Sequence, residues 1–172
     1  MKHFLKRMTA YLIDCIICYS LVMLVIQWAI LSNIRESLGI TEEWFKSSLN
    51  MELYVLISIS IPVWAYFVYF DSNKTKGTFG KRILKLSVRD QENKTMSLSK
   101  SFQRTILKLA PWEIAHLGVI FPTPIYFENE PDIRILTIVG ILLFSIYMIS
   151  IVFNTNGQSL YDKLIGTKVI EK

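Results

Sequence analysis

Four residues lie where a charge is hardest to solvate, inside or beside long apolar runs: Arg7, Asp14, Glu113 and His116. Arg7 and Asp14 are seven residues apart, close to two helical turns, so a helix puts both on one face. Ala10, Tyr11, Cys18 and Leu21 continue that stripe. A carboxylate well inside an apolar helix is costly, and it points to ion or proton handling, to a buried salt bridge, or to both. On this reading Arg7 is the partner of Asp14. Glu113 and His116 are spaced i, i+3 and share a face as well. A carboxylate beside an imidazole can pass protons near neutral pH. The same pair could equally be a polar lock for a helix interrupted at Pro111. Two ligands alone do not make a metal centre, and no other acidic or histidine cluster accompanies them, so no metal is expected.

Other patterns carry less chemistry. Cys15 and Cys18 spell C-x-x-C within an apolar run and without a second pair, so they read as small buried thiols. Gly77 to Lys81 (GTFGK) lacks the spacing of a phosphate loop, and Arg82 stands where the hydroxyl residue would be. Asn73-Lys-Thr75 and Asn93-Lys-Thr95 match the glycosylation sequon but fall on the side expected to face the cytoplasm. With no nucleophile–base pair and no nucleotide cradle, neither an enzymatic activity nor a cofactor is expected.

The elements that must position these residues are membrane helices. The chain has 172 residues, 52% of them hydrophobic and only 19% charged, with a net charge of +5. Mean hydropathy is +0.37. That composition excludes a disordered chain, and the low glycine and proline counts exclude collagen-like repeats. A helix needs about 20 mostly apolar residues to cross a bilayer. Segments 8–31, 53–70 and 135–153 approach this. A fourth, 109–127, is weaker because it contains Glu113, His116 and three prolines. The basic start of the chain resembles a secretory leader, but the run that follows is long, carries Asp14 and lacks a small-residue cleavage site, so it reads as a retained span.

The 19 Lys and Arg residues fix the expected topology. Ten lie between 71 and 108, three precede the first span and three are in the tail, against two and one in the other loops. The positive-inside rule then gives four spans with both termini cytoplasmic. Placed beside spans, the basic segment suits anionic lipid headgroups rather than nucleic acid. Within 71–108, residues 81–90 and 95–98 suggest a short β-hairpin, and the strand-like tail GTKVIEK is a candidate to pair with it. From Ser99, Phe102, Ile106, Leu107 and Leu109 recur at helical spacing, with Lys100, Arg104 and Lys108 on one polar stripe. This predicts a basic amphipathic helix at the cytoplasmic interface.

Three blocks resemble the RDD family of bacterial multi-pass membrane proteins. They are Arg7 to Asp14 (RMTAYLID), Gly77 to Val88 (GTFGKRILKLSV) and Ser159 to Val169 (SLYDKLIGTKV). The resemblance assigns the family arginine to Arg7 and its two aspartates to Asp14 and Asp162. It assigns the glycine-rich stretch to Gly77, Gly80 and Lys81, and the closing Gly-Thr to Gly166 and Thr167. Tyr161 stands where family members often have histidine. The resemblance implies transport of unidentified ligands, with cation–proton exchange proposed for some members. The resulting expectation is an all-α membrane protein of the cell membrane, 1–172 as a single domain. It is a four-helix transmembrane bundle with a small cytoplasmic β-hairpin and an interfacial amphipathic helix. Asp14 and Glu113 would handle cations or protons, and Asp162 would cap or gate the cytoplasmic end. A homo-oligomer or membrane partner would complete the thin-walled pathway. The competing expectation is a scaffold or accessory subunit whose buried polar residues only hold helices together.

Overall fold

The computed structural model describes residues 2–128, 132–154 and 157–172. Helix α1 spans Lys2–Ile34 and α2 spans Ser48–Asp71, each with a stretch of π-type winding (Val22–Leu31 and Leu56–Ser60). A short helix α3 (Phe79–Ile83) leads into strand β1 (Leu86–Asp90). Helix α4 covers Leu98–Ile120, α5 covers Ile135–Phe153, and the short α6 (Leu160–Ile165) precedes strand β2 (Thr167–Glu171). Among the described residues, α1, α2 and α5 are long and apolar enough to cross a membrane. Helix α4 falls short of that test because Lys100, Arg104, Lys108 and Glu113 all lie within it.

These helices carry polar residues inward and apolar ones outward, the reverse of a soluble bundle. On α1, Arg7, Ala10, Asp14 and Cys18 are buried while Leu5, Leu12, Ile16 and Tyr19 are exposed. Most of the apolar surface of α5 is uncovered, from Ile135 to Phe153, while Gly140, Tyr147 and Ile151 face inward. Such a surface is stable where the surroundings are themselves apolar.

The helices run antiparallel to their neighbours. Ser58 on α2 accepts a hydrogen bond from Gln27 on α1 at 2.8 Å, and Tyr66 on α2 reaches Asp14. Helix α4 lies along α5 at close range: a Cβ on Gly140 would come within 2.5 Å of the Pro111 carbonyl oxygen, so only glycine permits this approach.

Three expectations are corrected here. The predicted interfacial helix is not a separate element, because α4 runs unbroken through Pro111. Its face is also inverted. Ser101, Arg104 and Thr105 are buried, while Phe102 and Ile106 point out, since Arg104 finds carboxylates inside. The predicted 81–98 hairpin is absent as well. Residues Phe79–Ile83 are helical, and β1 pairs antiparallel with β2, Leu86 opposite Glu171 and Asp90 opposite Thr167. A turn at Asp90 to Lys94 sends the chain away from β1, and Met96 instead packs under the sheet with Ala10, Leu86, Val88 and Val169. The predicted fourth span also ends early: α4 stops at Ile120, where Pro122 and Pro124 cannot continue a helix, and residues 125–127 form a single 3₁₀ turn.

Candidate functional site

Where α1 begins, the three sequence blocks converge into one buried cluster. Its centre is Asp162, with no exposed surface. Ser159 caps α6 and Asp162 is the third residue of that helix, so the Ser159 hydroxyl accepts the Asp162 N–H at 3.2 Å and donates back to its carboxylate at 2.8 Å. This reciprocal cap fixes the carboxylate before any long-range partner arrives. Gly166 ends the helix in the left-handed conformation (φ +67°), which returns Thr167 so that its hydroxyl donates to Asp162 Oδ1 at 3.1 Å.

Two arginines complete the shell. Arg7 donates to Asp162 Oδ2 at 2.6 Å, and Arg104 contacts Oδ1 through Nε at 3.0 Å and Nη2 at 2.8 Å. Arg7 also donates to the Gly157 carbonyl and, at 3.5 Å, to the Tyr161 hydroxyl. The Tyr161 ring lies 5.2 Å beneath the Arg104 guanidinium. Burial alone would raise the Asp162 pKa, but Arg104 and Arg7, with the Ser159 donor, outweigh it and hold the carboxyl below the usual range.

Arg104 extends the network. Its Nη1 donates to Asp71 Oδ2 at 3.0 Å, and Lys81 Nζ bonds both oxygens of Asp71 at 2.5 and 2.7 Å. A continuous chain of ion pairs thus links Arg7, Asp162, Arg104, Asp71 and Lys81.

Asp14 is held differently, and the expected Arg7–Asp14 pair does not form. The two side chains do share the buried face of α1, but they are about 10 Å apart along its axis, and each meets a different incoming segment. Asp14 accepts from the Tyr66 hydroxyl at 2.7 Å, the Thr78 hydroxyl at 2.6 Å and the Gly80 N–H at 2.8 Å. Gly77, with φ +110°, turns the chain into this position. Gly80 is there because a Cβ would sit 2.0 Å from the Ala10 carbonyl oxygen, so α3 could not otherwise touch α1. All three donors are uncharged.

Glu113 and His116 form a second polar region, midway along α4. Glu113 accepts from Ser60 and Trp64 of α2, both at 2.9 Å. His116 packs against the Trp112 ring at 4.8 Å, and its buried Nδ1 has no hydrogen-bond partner among the described residues. Buried Oε2 of Glu52, two turns beyond Ser60 on α2, likewise has none. Among the described residues no group of three or more His, Cys, Asp or Glu side chains could hold a metal ion.

Asp71, Arg104 and Lys108 are absent from the candidate site residues of the sequence because the basic side chains of 71–108 read as a polar stripe facing lipid headgroups. A usable signal was present, since Ser101, Arg104 and Thr105 share one face of α4 while Phe102 and Ile106 share the other.

Comparison with curated proteins and with solved structures gives no match. The RDD family model does match, over residues 1–166, which takes in every residue of the cluster except Thr167. The chain belongs to the RDD family.

Proposed function

We propose that this chain is a multi-pass protein of the cell membrane with four crossings, α4 being the fourth, and with both termini cytoplasmic. Its role is transport-related, moving cations or protons through the bundle. The antiparallel packing of α4 along α5 supports the fourth crossing. Concentration of basic residues in 71–108, at the start and in the tail supports the orientation. Exposed Arg82, Lys74 and Lys85, beside exposed Phe79 and Ile83, suit anionic headgroups at that surface.

The observation that carries the transport reading is spare capacity among apolar helices. Among the described residues Glu113 has only neutral donors, and buried atoms of His116 and Glu52 in the same half of the bundle lack partners. An ionisable group there is expensive unless it is used. Glu113 is accordingly the carboxylate that takes the ion or proton. The saturated cluster of Arg7, Asp14 and Asp162 holds the cytoplasmic end closed. Four helices enclose little space, so flux needs a second copy or a membrane partner.

The test is flux in liposomes loaded with purified protein, across Na⁺, K⁺ and pH gradients. Wild type supports flux, Glu113→Gln abolishes it, and Asp14→Asn chiefly lowers the amount of folded protein. Wild-type vesicles no leakier than empty ones would overturn the transport reading.

A second reading is favoured by the complete engagement of Asp14 and Asp162. The chain is then a non-transporting scaffold or accessory subunit. In that case wild type shows no flux, while Asp14→Asn reduces membrane abundance and recovery of partners.

A further inference from the structure

The buried cluster is not electrically balanced. Arg7, Lys81, Arg104 and Lys108 stand against Asp14, Asp71 and Asp162, which leaves one surplus positive charge. The surplus falls on Lys108. Among the described residues its Nζ has no carboxylate and no hydrogen-bond acceptor. Its neighbours are aromatic faces, with Phe67 3.2 Å and Tyr11 5.0 Å from the ammonium to the ring centroids. Such faces help to hold an ammonium, but they carry no net charge.

Lys108 also borders a cavity of about 50 Å³ whose wall includes Arg7, Asp14, Lys81, Arg104 and Tyr161. Four cationic side chains and one carboxylate line it, and that carboxylate already accepts three hydrogen bonds from elsewhere. A water needs roughly 10–15 Å³ of such space, so a monatomic anion fits with a water or two. A six-carbon acid such as gluconate exceeds that volume. A cation would meet four like charges.

We propose that this cavity binds a small monovalent anion against Lys108, chloride being the ordinary representative. The anion neutralises the surplus charge and so stabilises the end of the bundle where the three sequence blocks meet. This site stands apart from Glu113 and does not depend on the transport reading.

The experiment uses the purified full chain in detergent at constant ionic strength, with chloride exchanged for gluconate, which is too large for the cavity. Chloride raises the wild-type unfolding midpoint by roughly 3–6 °C at about ten times its dissociation constant. It also broadens the ³⁵Cl resonance, an effect that bromide competes away. Lys108→Met loses both responses and Lys108→Arg keeps them. Equal wild-type midpoints in chloride and gluconate, without line broadening, overturn the proposal, and that measurement needs no variant. Persistence of the chloride response in a folded Lys108→Met protein overturns it as well.

Discussion

At the end of the bundle where α1 begins, five charged residues from five helices bond to one another, and Asp162 alone is met by two arginines, Ser159 and Thr167. Midway along α4, among the described residues, Glu113 meets only a serine hydroxyl and an indole N–H, and His116 keeps an unpartnered nitrogen. Both regions place ionisable groups among apolar helices, fully buried in the first and partly buried in the second, and they offset desolvation by different means. In the first, opposite charges at hydrogen-bond distance do so, and any change of protonation breaks the arrangement. In the second, neutral donors support the carboxylate, so gaining or losing a proton disturbs less. A region of the first kind suits structure, and one of the second kind suits exchange.

The largest effect expected is at the hub. Asp162→Asn keeps the shape but leaves Arg7 and Arg104 facing a neutral group, and unfolding in detergent should show a loss of about 3–5 kcal/mol. The pH dependence has a definite sign. Because the folded-state pKa of Asp162 is depressed, its contribution is complete above the unfolded value of about 3.9 and is lost as pH falls through the lower folded value. The stability gap between wild type and Asp162→Asn should therefore stay constant from neutral pH to about pH 4 and narrow below it. A gap that narrows already between pH 7 and pH 5 would mean that Asp162 is not the locked carboxylate described.

Gly80→Ala comes next. Its Cβ would collide with the Ala10 carbonyl, pushing α3 off α1 and pulling Thr78 and the Gly80 N–H away from Asp14, a loss of about 1–3 kcal/mol in the same assay. Glu113→Gln should cost only about 1 kcal/mol, since glutamine still accepts a hydrogen bond, while any flux collapses. A loss at Glu113 as large as that at Asp162 would erase the contrast between the two regions. Smallest is Glu171→Gln. Glu171 accepts from Lys6 at the surface, and that bond lowers its pKa, but both side chains face solvent and the unfolding midpoint should not move measurably.

Apolar blocks were the most legible part of the sequence, because crossing a bilayer demands a run of residues that nothing else explains. Segments 8–31, 53–70 and 135–153 fall within or coincide with α1, α2 and α5. Face-sharing on one helix was legible too, and Arg7 and Asp14 do lie on the same buried side. Their partners were not. A period along one helix says what points inward, and it is silent on which distant segment comes to meet it: Arg7 pairs with Asp162, 155 residues away. The β pairing was legible in part: strand 86–90 does pair with the strand-like tail, as the sequence suggested, but residues 95–98, the nearer candidate, form no strand. Lys81 and Arg104 were misplaced because basic residues between spans ordinarily face water.

The capping box at Ser159 and Asp162 has one more consequence, in the order of assembly. Asp162 is made after every apolar helix, so the three long helices can all enter the bilayer while Arg7 and Arg104 still lack their shared anion. The pairs of Asp14 and Asp71 need only earlier segments, so the last short helix adds the anion that Arg7 and Arg104 share and latches an already packed bundle from one end.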